Sequence, residues 1–103
     1  MKSLAEIQRQ FATGNFVFSR HAFKRAVERN ISETEIIAAG KTAVIIEEYI
    51  SDKYTPSCLL LGFTDEKRPI HIQVSRADTP QTKIITLYEP NLMQWDESFT
   101  RRR

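Results

Sequence analysis

The heptapeptide PIHIQVS, Pro69–Ser75, alternates apolar and polar side chains from its second residue onward. A period of two marks a strand, so Ile70, Ile72 and Val74 share one face while His71, Gln73 and Ser75 share the other. Three neighbouring runs have the same character: AVIIEEYI (Ala43–Ile50), CLLLGFT (Cys58–Thr64) and KIITLYE (Lys83–Glu89). Polar stretches, SDKYTPS, DEKR and ADTPQT, separate them as turns. Short connections of this kind join strands into an antiparallel meander. KIITLYE is the least regular, with Thr86 and Tyr88 on one face and Ile85 and Leu87 on the other.

Ahead of the strands the period lengthens. Ser3 and Glu6 form a capping box, and Leu4, Ile7 and Phe11 recur at helical spacing, which predicts a helix over 3–13 ended by Gly14. NFVFS (Asn15–Ser19) reads as a short extended link or strand. Ser19 caps a second helix running to Arg29, and Asn30 takes the left-handed conformation that closes it. Ser32 with Glu35 is another capping box, opening a third helix that stops at Gly40. Helices first and strands afterwards predict an α+β fold. Its N-terminal helices pack on one face of an antiparallel sheet of four strands or slightly more. Residues 1–103 read as a single domain, since a chain of this length closes around one core.

Composition excludes several classes of function. Apolar residues at 41% against charged residues at 27% describe a globular chain rather than a disordered tail. No apolar run approaches the roughly 20 residues that cross a bilayer. Glu6 and Gln8 interrupt the N-terminal stretch where a secretory signal is apolar, so no membrane partner and a cytoplasmic location are expected. A lone Cys58 fits a reducing compartment. One cysteine and two histidines, without CxxC or HExxH spacing, predict neither a metal site nor a cofactor.

The net charge of +2 is unevenly laid out. Residues 1–31 hold six Lys/Arg against two Glu, a balance of +4; residues 32–66 stand at −5, and residues 67–103 at +3. Both histidines lie in the basic segments. Basic surface attracts polyanions, which makes RNA a candidate partner, although charges that merely face water produce the same composition.

Within FSRHAFKRAVERNISE (Phe18–Glu33), Phe23, Ala26 and Val27 fall on one helical face, with His21, Arg25, Glu28 and Arg29 opposite. Two arginines one turn apart beside a histidine suit a phosphate through forked donors, tempered if Glu28 pairs with Lys24 or Arg25. Paired as a hairpin, PIHIQVS and KIITLYE would gather His71, Gln73, Thr86 and Tyr88 into one polar patch. An imidazole, a phenol and a hydroxyl, with no carboxylate before Glu89, can exchange protons and hydrogen-bond an oxyanion. Ordinary solvated decoration of a half-exposed strand is the competing reading. Trp95 and Phe99 are expected to fold back over the core. Tyr49 and Tyr54 have the same structural status, and Arg101–Arg103 read as a frayed end.

FSRHAFKRAVERNIS, followed by PIHIQVS and ITLYEP, resembles the domain-of-unknown-function 4258 family of small prokaryotic proteins over about Phe18–Trp95. Ala26 stands where methionine is frequent in that pattern, and Asn30 where glycine is frequent. The family is similar to the RelE-like toxins and the wider barnase–EndoU–colicin–RelE group of metal-independent ribonucleases. The resemblance implies a helical pair on a four-stranded sheet with the active face on the sheet, His21, Arg25 and Arg29 in the helical motif and His71 and Tyr88 on the strands. The function it leads us to expect is a toxin of a toxin–antitoxin system, cutting RNA, free or on the ribosome, without a metal. His21 and His71 would be base and acid, in either order, and Tyr88 would donate a hydrogen bond or proton. Arg25, Arg29 and Thr86 would hold the phosphate, and an acidic antitoxin would cover the basic face. The alternatives are a non-catalytic nucleic-acid- or protein-binding module using that face, and an interaction domain using an exposed sheet edge.

Overall fold

Ser3 opens helix α1 (Leu4–Ala12) by accepting the Glu6 N–H at its hydroxyl, 3.2 Å away. Only this half of the expected capping box forms, because the Glu6 carboxylate turns instead to Arg9 at 3.2 Å and Gln10 at 3.4 Å. There follow β1 (Phe16–Phe18), α2 (Ala22–Glu28), α3 (Glu33–Lys41), β2 (Val44–Tyr49), β3 (Ser57–Phe63), β4 (Pro69–Ser75) and β5 (Thr82–Tyr88). The computed structural model describes residues 1–51 and 55–103, so Tyr54 lies outside the described residues. Asn30, at φ 53°, makes the left-handed turn between α2 and α3, and Ser32 and Glu35 complete both halves of the second capping box.

The sheet runs β1-β5-β4-β3-β2. Its four long strands form the expected antiparallel meander. NFVFS adds a fifth strand, which corrects the all-antiparallel expectation: β1 lies parallel to β5, with Phe16 opposite Thr82 and Phe18 opposite Ile84. The irregularity of KIITLYE also has a structural cause. Gln73 pairs with Thr86 and Val74 with Ile84, leaving Ile85 as a bulge. The extra residue resets the alternation, so Ile84 and Leu87 both enter the core while Thr86 and Tyr88 keep the face of Gln73 and His71.

All three helices sit on the face carrying Ile70, Ile72 and Val74. Leu59 and Leu61 share the opposite face with His71 by register and are also buried, so the continuous apolar run in β3 reflects a strand covered on both sides.

Helix α2 turns differently from its apolar pattern. Ala22 and Ala26 face the core, whereas Phe23 and Val27 are 61% and 62% exposed. Small side chains let the helix approach β5 closely; Phe23 instead rests edge-on against Phe18, ring centroids 5.6 Å apart. Gly40 is corrected as well. It lies inside α3, with Thr42 at the cap, because α1 presses there: a Cβ would fall 2.2 Å from Phe11 Cγ.

At Gly62 in β3 a Cβ would fall 2.0 Å from the Ala39 carbonyl oxygen, backbone against backbone. Gly62→Ala is therefore expected to force α3 off the sheet and to cost about 1–3 kcal/mol or more by urea unfolding. Gly14→Ala meets no atom and bears only the strain of φ +72°, about 1–2 kcal/mol. Equal losses at the two sites would contradict this packing.

Candidate functional site

His71 lies on β4, the central strand of the five, and faces away from the helices, fully buried. Burial of an imidazole demands a partner for each nitrogen. Nε2 lies 2.7 Å from the Phe99 carbonyl, and Nδ1 lies 3.2 Å from the Tyr88 hydroxyl of the directly paired residue. A carbonyl only accepts, so Nε2 carries the hydrogen, and Nδ1 accepts from Tyr88. Burial lowers the His71 pKa; the Phe99 carbonyl and Glu47 oppose that, and Arg102 adds to it. Burial likewise raises that of Tyr88.

The cover over His71 is the segment Asn91–Arg103, which corrects the expectation of a frayed end. Trp95 is buried with its ring perpendicular to the imidazole, centroids 4.4 Å apart. Arg102 stacks on Trp95, its guanidinium 4.7 Å from the ring centre, and forks onto the Glu47 carboxylate at 3.0 and 3.1 Å. Tyr49 donates its hydroxyl to the same carboxylate, and Arg102 holds Glu47 below the usual carboxylate range. Burial, with that bond, pushes the Tyr49 phenol to about 12. Arg103 Nε donates to the Leu92 and Trp95 carbonyls, closing the segment on itself. Phe99, as expected, folds back, but its carbonyl rather than its ring does the holding.

The outer edge of β5 is bare beyond Ile84, where β1 ends. The Ser19–Arg29 region closes it: Ser19 Oγ donates to the carbonyl of the bulged Ile85 at 2.9 Å, and Arg29 Nη1 to that of Leu87 at 2.7 Å. Beside this edge a cleft of about 410 Å³ is lined by Arg29, Arg68, Tyr88, Glu89, Asn91 and Gln94. Arg68 is its scaffold. It donates to the Arg29 and Asn30 carbonyls at 3.0 and 2.8 Å and to the carboxylates of Glu35 and Glu89. The turn DEKR carries no spacing that singles this residue out; only the convergence of α2, α3 and β5 does so.

The structure thus brings His71 and Tyr88 together, with Thr86 on the same face and Arg29 across the cleft. It does not bring His21 or Arg25 to them. His21 is exposed at the start of α2, eight residues from Arg29, about 12 Å along a helix, and on the helix side of the sheet. Arg25 pairs with Glu28 at 3.0 Å, and Lys24 approaches the same carboxylate at 3.9 Å. Among the described residues no three His, Cys, Asp or Glu side chains gather as a metal-ligand set. No helix among them is long and apolar enough to cross a membrane.

A family described as a domain of unknown function (DUF4258) matches residues 18–89. Nothing among curated proteins or solved structures matches the chain. The matched region holds both histidines, Arg29 and Tyr88, and it ends before the segment that covers His71.

The lowered His71 pKa gives stability a definite pH dependence. The unfolded imidazole takes up a proton near pH ~6.5 that the folded one refuses, so this contribution is full above that value and declines as pH falls toward the lower folded pKa. Urea unfolding of His71→Gln should show a shallower loss of stability between about pH 7 and 5 than the unmodified chain. An unchanged slope would contradict the buried neutral imidazole. Tyr88→Phe leaves Nδ1 without its donor and should cost about 1–3 kcal/mol at neutral pH.

Proposed function

This chain belongs to the DUF4258 family, and we propose that it binds RNA, taking the phosphate backbone in the cleft between the end of α2 and β5. The observation that carries this reading is that Arg29 and Tyr88 line one open cleft together with Asn91 and Gln94. A guanidinium has five N–H donors, so the bond from Nη1 to Leu87 leaves Arg29 donors for a phosphate. Arg68 stands against two carboxylates, Glu35 and Glu89, so it gives rigidity rather than attraction, and Arg29 is the cation left to draw a phosphate.

A cleaving form of the same reading is favoured by the Tyr88–His71 hydrogen bond at the cleft wall. Tyr88 would pass its proton to His71 Nδ1 and take the proton of a ribose 2′-hydroxyl. The 2′-oxygen would then bond to phosphorus as the P–O5′ bond breaks, with water supplying a proton to the leaving oxygen and a 2′,3′-cyclic phosphate as product. Such a reaction is the RelE-like toxin activity expected from the sequence, reassigned from the distant His21 to the Tyr88–His71 pair. In that form an acidic antitoxin would cover α2, where His21 and Arg25 stand exposed.

Fluorescence anisotropy with a short single-stranded oligoribonucleotide tests the binding claim. Arg29→Gln removes the charge while keeping a donor for Leu87; it should weaken binding and lower the salt slope by about 0.7. Unchanged affinity and slope would remove the cleft from consideration. Cleavage, where it occurs, should persist in EDTA and fall roughly 10²–10⁴-fold in Tyr88→Phe. RNA that is bound but never cut leaves the non-catalytic form.

A further inference from the structure

The segment Asn91–Arg103 does two things that a passive end of the core would not combine. It seals the only buried histidine of the described residues, and it supplies Asn91 and Gln94 to the wall of the open cleft. The two roles are mechanically joined, since the Arg103 N–H donates to the Gln94 carbonyl at 2.9 Å and Trp95 and Arg102 pair across a bridge. The segment meets β2 through one charged contact, the Arg102–Glu47 fork, whose arginine is 61% exposed. Its flanking Arg101 and Arg103 are exposed too, so the fork sits in a run of three cations.

We propose that Asn91–Arg103 is a displaceable latch over His71, held by Arg102 on Glu47 and opened when a phosphate chain draws Arg102 away. The inference rests on the RNA-binding reading for the opener, though not for the latch itself. A backbone entering the cleft lies against Asn91 and Gln94, within the same closed loop as Arg102. Phosphates present several acceptors to three adjacent arginines, whereas Glu47 presents one carboxylate that already accepts from Tyr49. Release removes the Phe99 carbonyl from Nε2 and the Trp95 ring from the imidazole face, uncovering His71 beside Tyr88. His71 then exchanges protons with solvent, which the cleaving form of the function requires and the closed state denies. In the closed state the protein binds without turning over.

Two readouts on the full chain follow the latch. Trp95 is the single tryptophan, so its emission reports docking, and carbethoxylation measured by mass spectrometry reports His71, with exposed His21 as the internal standard. Adding a short oligoribonucleotide should shift Trp95 emission to the red and raise His71 labelling relative to His21. Glu47→Gln and Arg102→Ala should raise that ratio about tenfold or more without RNA, since each breaks the charge-assisted fork of two hydrogen bonds. The proposal is overturned if His71 stays unlabelled in both variants and with bound RNA. It is equally overturned if both variants unfold by circular dichroism, for the segment is then inseparable from the core. If the variants open but the oligoribonucleotide neither binds nor opens the chain, the latch stands and the RNA reading falls. If RNA binds with the Arg29-dependent slope while His71 remains sealed throughout, the reverse holds.

Discussion

An imidazole sealed inside a sheet must have both nitrogens satisfied, and the face of this sheet away from the helices is built around that constraint. His71 sits on β4, flanked by β3 and β5, so no solvent reaches it from the sides. Tyr88 meets Nδ1 from the neighbouring strand, and only a further layer can meet Nε2. The segment after Pro90 supplies that layer: the Phe99 carbonyl closes the hydrogen bond, the Trp95 ring covers the imidazole, and Arg102 ties the whole to Glu47 on β2. Leu59 and Leu61 are buried on the same face. Remove the acceptor on Nε2 and the ring becomes an unsatisfied group in an apolar setting, so the segment and the histidine hold each other in place.

The cleft depends on a second convergence. Helix α2 runs beside the part of β5 that β1 leaves bare, and the carbonyls of Ile85 and Leu87 there are met by Ser19 before the helix and Arg29 after it. Arg68 then binds the Arg29 and Asn30 carbonyls just past α2 and pairs with two carboxylates, Glu35 from α3 and Glu89 after β5. Arg29 therefore has a structural duty as well as a proposed ligand-binding one. Its placement against Tyr88 follows from edge protection of the sheet, and the cleft is a consequence of that placement.

Much of this was legible in the chain itself. Alternation in Pro69–Ser75 located His71 opposite the core face, and the hairpin pairing it implied puts His71 beside Tyr88. The capping box at Ser32 and the left-handed Asn30 were readable because both are local. What escaped were effects of close approach and distance. Hydropathy favours Phe23 and Val27 as core residues, whereas the spacing between helix and sheet admits only Ala22 and Ala26. Gly40 resembles a helix end until Phe11 occupies the space of its missing side chain. Ile85 looked like a lapse in alternation because a bulge is visible only against the partner strand. The cover over His71 joins residues far apart in sequence, Glu47 and Arg102 among them, and the three arginines read alone suggest a solvated end. His21 and His71 attracted a shared role by residue type, but they occupy opposite sides of the sheet.

The central claim is a neutral His71, held in one tautomer beneath the Trp95 layer. Nitrogen-15 correlation spectra of the two histidine rings, recorded from neutral pH downward, test it most directly. The account predicts that His71 shows a protonated Nε2 and a bare Nδ1, with an Nε2–H slow to exchange, and that it resists protonation below the ordinary imidazole range. A His71 ring that exchanges rapidly between tautomers and takes up a proton at the ordinary imidazole value, about 6.5, would contradict it.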